Sequence, residues 1–146
     1  RAEGATVGDL LPQVMLHNIK TNLMSAIEEL THSKVTVIVY MLTADDRSRK
    51  ELELLRNIQD SAPELVVLPV SVDIGSPARL LKFIKYYKFK FTFLRDPGSK
   101  TQEAFGFSAT PATVIVGKDS RIIYKKVGYK KEDDMEILEM IQEAMK

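Results

Sequence analysis

Val35-Thr36-Val37-Ile38-Val39-Tyr40-Met41-Leu42 runs without a break into Thr43-Ala44-Asp45-Asp46-Arg47-Ser48-Arg49-Lys50-Glu51. The first half is almost continuously apolar and rich in β-branched residues, the composition of a strand covered on both faces at the centre of a sheet. The second half turns polar. Thr43, Asp45 and Asp46 offer a helix cap and place negative charge at the positive end of the helix dipole. Glu51, Leu52, Leu55, Ile58 and Ala62 then carry a helical period, which Pro63 closes. A buried strand feeding straight into a helix predicts an α/β domain.

Downstream, residues 65–72 (LVVLPVSV) read as a second buried strand, and Pro69, lacking a donor, belongs at a bulge or a free strand position. Ser76 ahead of Pro77 opens a helix whose apolar face is Leu80, Leu81, Ile84 and Tyr87. Phe89, Phe91 and Phe93 alternate with Lys88, Lys90 and Thr92, so that stretch reads as extended with one face buried, up to Asp96-Pro97-Gly98. Ser99 and Gln102 have capping-box spacing ahead of a short helix, which Gly106 ends in the left-handed conformation.

Residues 113–116 and 122–127 form an expected antiparallel hairpin across Gly117-Lys118-Asp119-Ser120-Arg121. Glu132, Asp133 and Asp134 start a final helix burying Met135, Leu138, Ile141 and Met145, with Ile137 and Ala144 flanking. Upstream, residues 1–9 read as a loose leader into a short strand carrying Val14 and Leu16. Thr21 or Asn22 caps a helix with Leu23, Met24, Ile27 and Leu30 on one face. The order predicts one domain over 1–146, a mixed central β-sheet flanked by helices.

Composition sets bounds on function. The chain has 146 residues, 45% hydrophobic and 28% charged, with 21 Lys and Arg against 20 Asp and Glu. A net charge of +1 gives no global attraction to nucleic acid. No stretch approaches the roughly 20 apolar residues of a membrane-spanning helix, so direct membrane insertion is not expected. Cysteine is absent, which removes disulfides, thiolate catalysis and cysteine metal sites. The sequence opens at Arg1 rather than Met, and the expectation is that an upstream piece, such as an export signal, has been removed.

Several of these stretches together resemble the redoxin branch of the thioredoxin superfamily, that is, thiol-disulfide oxidoreductases and the related peroxiredoxins. They are Val7-Gly8-Asp9 through Pro12, the strand-to-helix run from Val35 to Ile58, Ser71-Val72-Asp73, Phe93-Leu94-Arg95-Asp96-Pro97, and Ala109-Thr110-Pro111-Ala112-Thr113-Val114-Ile115-Val116. The resemblance implies a thioredoxin-like fold in which Ser71-Val72-Asp73 begins a redoxin-type strand-helix insertion. It also implies that Thr110-Pro111 is a cis-proline loop facing the active site. There the family's backbone pairs with an extended segment of a partner. Matching Arg49-Lys50-Glu51 to the family's helical start puts Asp45-Asp46-Arg47-Ser48 at the Cys-x-x-Cys motif, with Asp45 and Ser48 at the two cysteine positions. A carboxylate there can cap the helix but cannot form the mixed disulfide through which exchange proceeds.

Other groups read more plainly. Asp45 and Asp46 are expected as caps rather than an acid/base pair. Asp73, Asp96 and Asp119 match no calcium loop. His17 and His32 lack any metal-ligand or nucleophile spacing, and no metal or cofactor is expected. Arg79, Lys82, Lys85, Lys88 and Lys90 form one basic run and Lys125, Lys126, Lys130 and Lys131 another, both read as solvated faces.

The leading expectation is a redox-inactive module, not an enzyme, that binds an unidentified protein or peptide through Asp45, Ser48, Thr110 and Pro111, in a periplasmic or other extracytoplasmic compartment. Alternatives are an assembly domain without a groove function, an oxidoreductase whose cysteines have been replaced, an enzyme using other residues in the same cleft, and a cytoplasmic setting.

Overall fold

The computed structural model describes residues 4–146. One mixed sheet runs through it, and its strands are β1 (Met15–Asn18), β2 (Leu23–Ala26), β3 (Thr36–Met41), β4 (Val66–Ser71), β5 (Leu94–Arg95), β6 (Ala112–Val116) and β7 (Ile122–Val127). They lie in the order β2-β1-β5-β4-β3-β6-β7. β3 runs parallel to β4 and antiparallel to β6, so it lies inside the sheet with every one of its residues buried.

The helices are α1 (Ile27–Thr31), α2 (Asp46–Ser61), α3 (Ala78–Tyr87) and α4 (Asp134–Ala144). Alternation along β3 divides the core. Val37, Val39 and Met41 pack with Leu52 and Leu55 of α2, Leu80 and Phe83 of α3, and Ile137 and Ile141 of α4. Ile38 and Tyr40 face the other way, toward Leu16, Ile27, Phe105 and Phe107. A strand buried on both faces needs this continuous apolar run.

Pro69 occupies a free strand position, as its chemistry requires. Val66 and Val72 donate to Val35 and Met41 at 3.0 Å, so even-numbered residues of β4 turn their N–H toward β3. The nitrogen of Pro69 therefore faces the β5 side, where pairing covers only Val70 and Ser71.

Four expectations need correction. Leu23 and Met24 belong to β2, paired with Asn18 and His17 of β1, and are exposed; only Ile27 onward is helical. The tight return at Asn22, whose φ is 61°, makes the strand pairing possible. In α4 the buried residues are Ile137 and Ile141, while Met135 is exposed. In α3 they are Leu80 and Phe83, and Leu81 is exposed; the helix begins at Ala78, one residue past Pro77, and its amide donates to the Ser76 hydroxyl at 3.3 Å, the capping bond expected of Ser76.

The last correction concerns the leader. The stretch expected to be loose over 1–9 is pinned from Ala5 onward; residues 1–3 lie outside the described residues. Ala5 donates to the Ala104 carbonyl at 2.9 Å and Gly8 to that of Ile122 at 2.8 Å, and Lys125 Nζ donates to the Ala5 carbonyl at 2.6 Å. Gly4, at φ 70°, lies so close to Phe105 and Gly106 that a β-carbon would collide with their backbone.

Candidate functional site

β3 ends at the centre of the sheet and delivers the chain to the N-terminus of α2. Asp45 is the cap: its Oδ1 accepts the Arg47 amide at 2.9 Å, satisfying one of the helix's free donors. The preceding loop is fixed from below. Asp73, nearly buried just past β4, accepts the Thr43 amide and the Thr43 hydroxyl, each at 3.2 Å, and the Ser71 hydroxyl at 2.7 Å. Two neighbouring parallel strands thus cooperate to aim the helix start.

Across from it, the Thr110–Pro111 peptide is cis. Pro111 is buried, and its carbonyl accepts the Gly128 amide at 2.7 Å. Arg47 joins the two loops. Its guanidinium is paired with Asp45 Oδ2 at 3.1 Å, and its Nη2 donates to the Thr110 carbonyl, also at 3.1 Å. The Arg47 side chain remains 56% exposed and Asp45 17%.

Of the residues singled out from sequence, the structure brings Asp45, Arg47 and Thr110 into one surface patch. Asp46 turns away to Arg49 at 3.2 Å. Ser48 does not belong on the contact surface expected for it: it is fully buried, and its hydroxyl accepts the Leu42 amide at 3.3 Å. The first turn of α2 rotates this position inward, under the cap. Pro111 likewise supports the patch from beneath.

Sequence reading missed Glu51. One turn into α2 it is 1% exposed, with Oε2 accepting the Thr113 hydroxyl at 2.6 Å and Oε1 without a hydrogen-bond partner. Burial pushes its carboxyl up to about 7, opposed by the Thr113 bond and reinforced by the acidic Asp133 and Asp134. The signal was present as a single acid on the apolar stripe of α2, but its period alone cannot distinguish a buried acid from a boundary one.

The remaining candidates have structural employment. Asp96 Oδ2 accepts the Thr101 amide at 2.8 Å, the Thr101 hydroxyl at 2.7 Å and the Gln102 amide at 3.3 Å. It therefore caps the 3-10 helix Thr101–Phe105, replacing the expected Ser99. Because Thr101 gives its only hydroxyl proton to Asp96, the Tyr40 hydroxyl must be the donor in its 2.8 Å bond to Thr101. Asp119 accepts the Arg121 amide at 3.2 Å within the hairpin turn. His17 Nε2 lies 2.8 Å from Asn22 Oδ1 at the β1–β2 turn, and His32 is an exposed residue just after α1.

A central mixed sheet, a strand-to-helix junction at its middle and a proline loop opposite define a thioredoxin-like domain. The AhpC/TSA family model matches residues 7–125, and the chain belongs to that family. Solved structures agree on the fold. A candidate thiol:disulfide interchange protein DsbE from Chlorobium tepidum superimposes with a TM-score of 0.87 at 19% identity, covering 98% of this chain and 100% of its own. A candidate protein disulfide isomerase from Bacteroides thetaiotaomicron gives 0.81 at 14% identity, covering 96% and 90%. A secreted Mycobacterium tuberculosis disulfide oxidoreductase gives 0.72 at 13% identity, covering 90% and 96%. No curated protein matches the sequence significantly. No helix among the described residues is long and apolar enough to cross a membrane.

Proposed function

We propose that this protein is a thioredoxin-like module that does not exchange disulfides and instead binds an extended segment of a partner protein across Asp45, Arg47 and Thr110, in an extracytoplasmic compartment. The chain contains no cysteine, and exchange proceeds only through attack of a thiolate on a disulfide sulfur. What supports binding is the exposed bond from Arg47 to the Thr110 carbonyl, which holds the helix start and the proline loop side by side. That carbonyl is an acceptor an incoming strand can use once the exposed guanidinium, still held through Nε by Asp45, exchanges it for the incoming backbone or a carboxylate. The extracytoplasmic setting is supported by the secreted oxidoreductase among the structural neighbours.

Affinity capture from the native compartment tests this, comparing the unaltered protein with Arg47→Glu, which reverses an exposed charge without touching the core. The same partner should be recovered with and without a thiol reductant and be lost with the variant. Catalysed insulin reduction, or capture indifferent to Arg47→Glu, defeats the proposal.

A further inference from the structure

The basic run on α3 has a structural setting that its sequence pattern did not reveal. Arg79, Lys82 and Lys85, together with Thr43, Ala44, Phe83, Tyr86 and Tyr87, line a cleft of about 810 Å³ between α3 and the loop that enters α2. No acidic side chain lines it. Among the described residues none of the three cations forms an ion pair, in contrast to Arg47, Arg49, Lys126 and Lys131, each of which does. Tyr86 is 77% exposed and stands edge-on to Tyr87 at 4.8 Å between ring centroids. Tyrosine and arginine are enriched at protein interfaces, and here Tyr86 and Arg79 both stand in water.

We infer that this cleft is a docking site for an acidic segment of a protein partner, which seats one apolar side chain among Ala44, Phe83, Tyr86 and Tyr87 while its carboxylates meet Arg79, Lys82 and Lys85. Charge complementarity fixes the chemistry: cations three residues apart on a helix have Cβ atoms about 5 to 6 Å apart, and their long side chains splay to meet carboxylates on alternate residues of an extended peptide, about 6.8 Å apart. The basic stretch is too short, on a chain of net charge +1, for the many phosphate contacts that nucleic-acid binding uses. This site lies outside the patch formed by Arg47 and Thr110 and stands without it.

The test is a titration of the isotope-labelled protein, followed by its backbone amide resonances, with a synthetic peptide of alternating Glu and Gly around one Phe. The expected shifts are confined to Thr43, Ala44 and α3, and affinity falls steeply with salt. The double variant Lys82→Glu, Lys85→Glu should bind about tenfold more weakly, and Tyr86→Ala should weaken binding while leaving the salt dependence intact. All three residues are exposed, and retained dispersion in the variants' own spectra confirms their fold. The inference is overturned if no shifts occur or they map elsewhere, if the Gln counterpart of the peptide or the double variant binds equally well, or if oligothymidylate or equimolar phosphatidylcholine–phosphatidylserine vesicles move these amides and the peptide does not.

Discussion

The Thr113 hydroxyl of β6 donates to Glu51 Oε2 of α2 at 2.6 Å, while the second carboxyl oxygen is buried without a partner. This bond ties the helix that carries the site to the strand that follows Pro111. It also leaves half of an acid poorly served, and the cost depends on protonation.

Stability should therefore fall as pH rises from about 4.5 to about 7. Glu51 is pushed up to about 7 from 4.5, principally by burial. A raised carboxyl favours the folded state while protonated, so its contribution is complete below the unfolded value and is lost as pH rises through the folded one. The difference amounts to at most on the order of 3 kcal/mol. Thermal melts between about pH 4 and pH 8 should show the fall between about 4.5 and about 7 and a plateau above it, with Glu51→Gln removing that fall.

Asp45→Ala removes the α2 cap. The expected loss is about 1 kcal/mol by denaturant titration, with faster hydrogen exchange at the Arg47 amide. The companion Asp46→Ala should cost less, since Asp46 makes an exposed pair with Arg49 and adds charge at the helix start but caps no amide.

Asp96→Ala should be more damaging than Asp45→Ala, at about 2 to 3 kcal/mol, because three donors from Thr101 and Gln102 converge on one buried carboxylate oxygen. Thr101→Val isolates the hydroxyl's share. It strands the Tyr40 donor in the core, so its cost should be partly recovered in Tyr40→Phe, Thr101→Val.

Replacing Asp45 and Ser48 together by cysteine should create a dithiol that reacts asymmetrically. Position 45 is partly exposed at the helix start beside Arg47, conditions that lower a thiol below its usual 8.5 or so, whereas position 48 is fully buried. Alkylation should label Cys at 45 first, and insulin reduction by the double variant, absent in the parent, is the expected gain. Equal labelling of both positions would contradict the geometry.

The central strands and α2 were legible because burial on both faces leaves an unambiguous mark: nothing polar interrupts 35–42 except Thr36. Short elements were not. Over Leu23, Met24 and Ile27, a strand turning directly into a one-turn helix mimics the offsets of a longer helix, and only the partner strand β1 decides between them. In α4 the apolar residues encircle more than one face, so the period did not select Ile137 and Ile141 over Met135. The candidate site was legible in its parts, Asp45 and Thr110, but the side chain joining them was not. An arginine next to a cap gives no sign in sequence that it reaches a residue sixty-three positions away.

Pro69 has a consequence beyond its own strand. β4 lies between a fully paired neighbour and the two-residue β5, so the lower half of one margin lacks a strand beside it. The ring that looks misplaced in a core strand thus leaves no buried donor unpaired where β5 stops short.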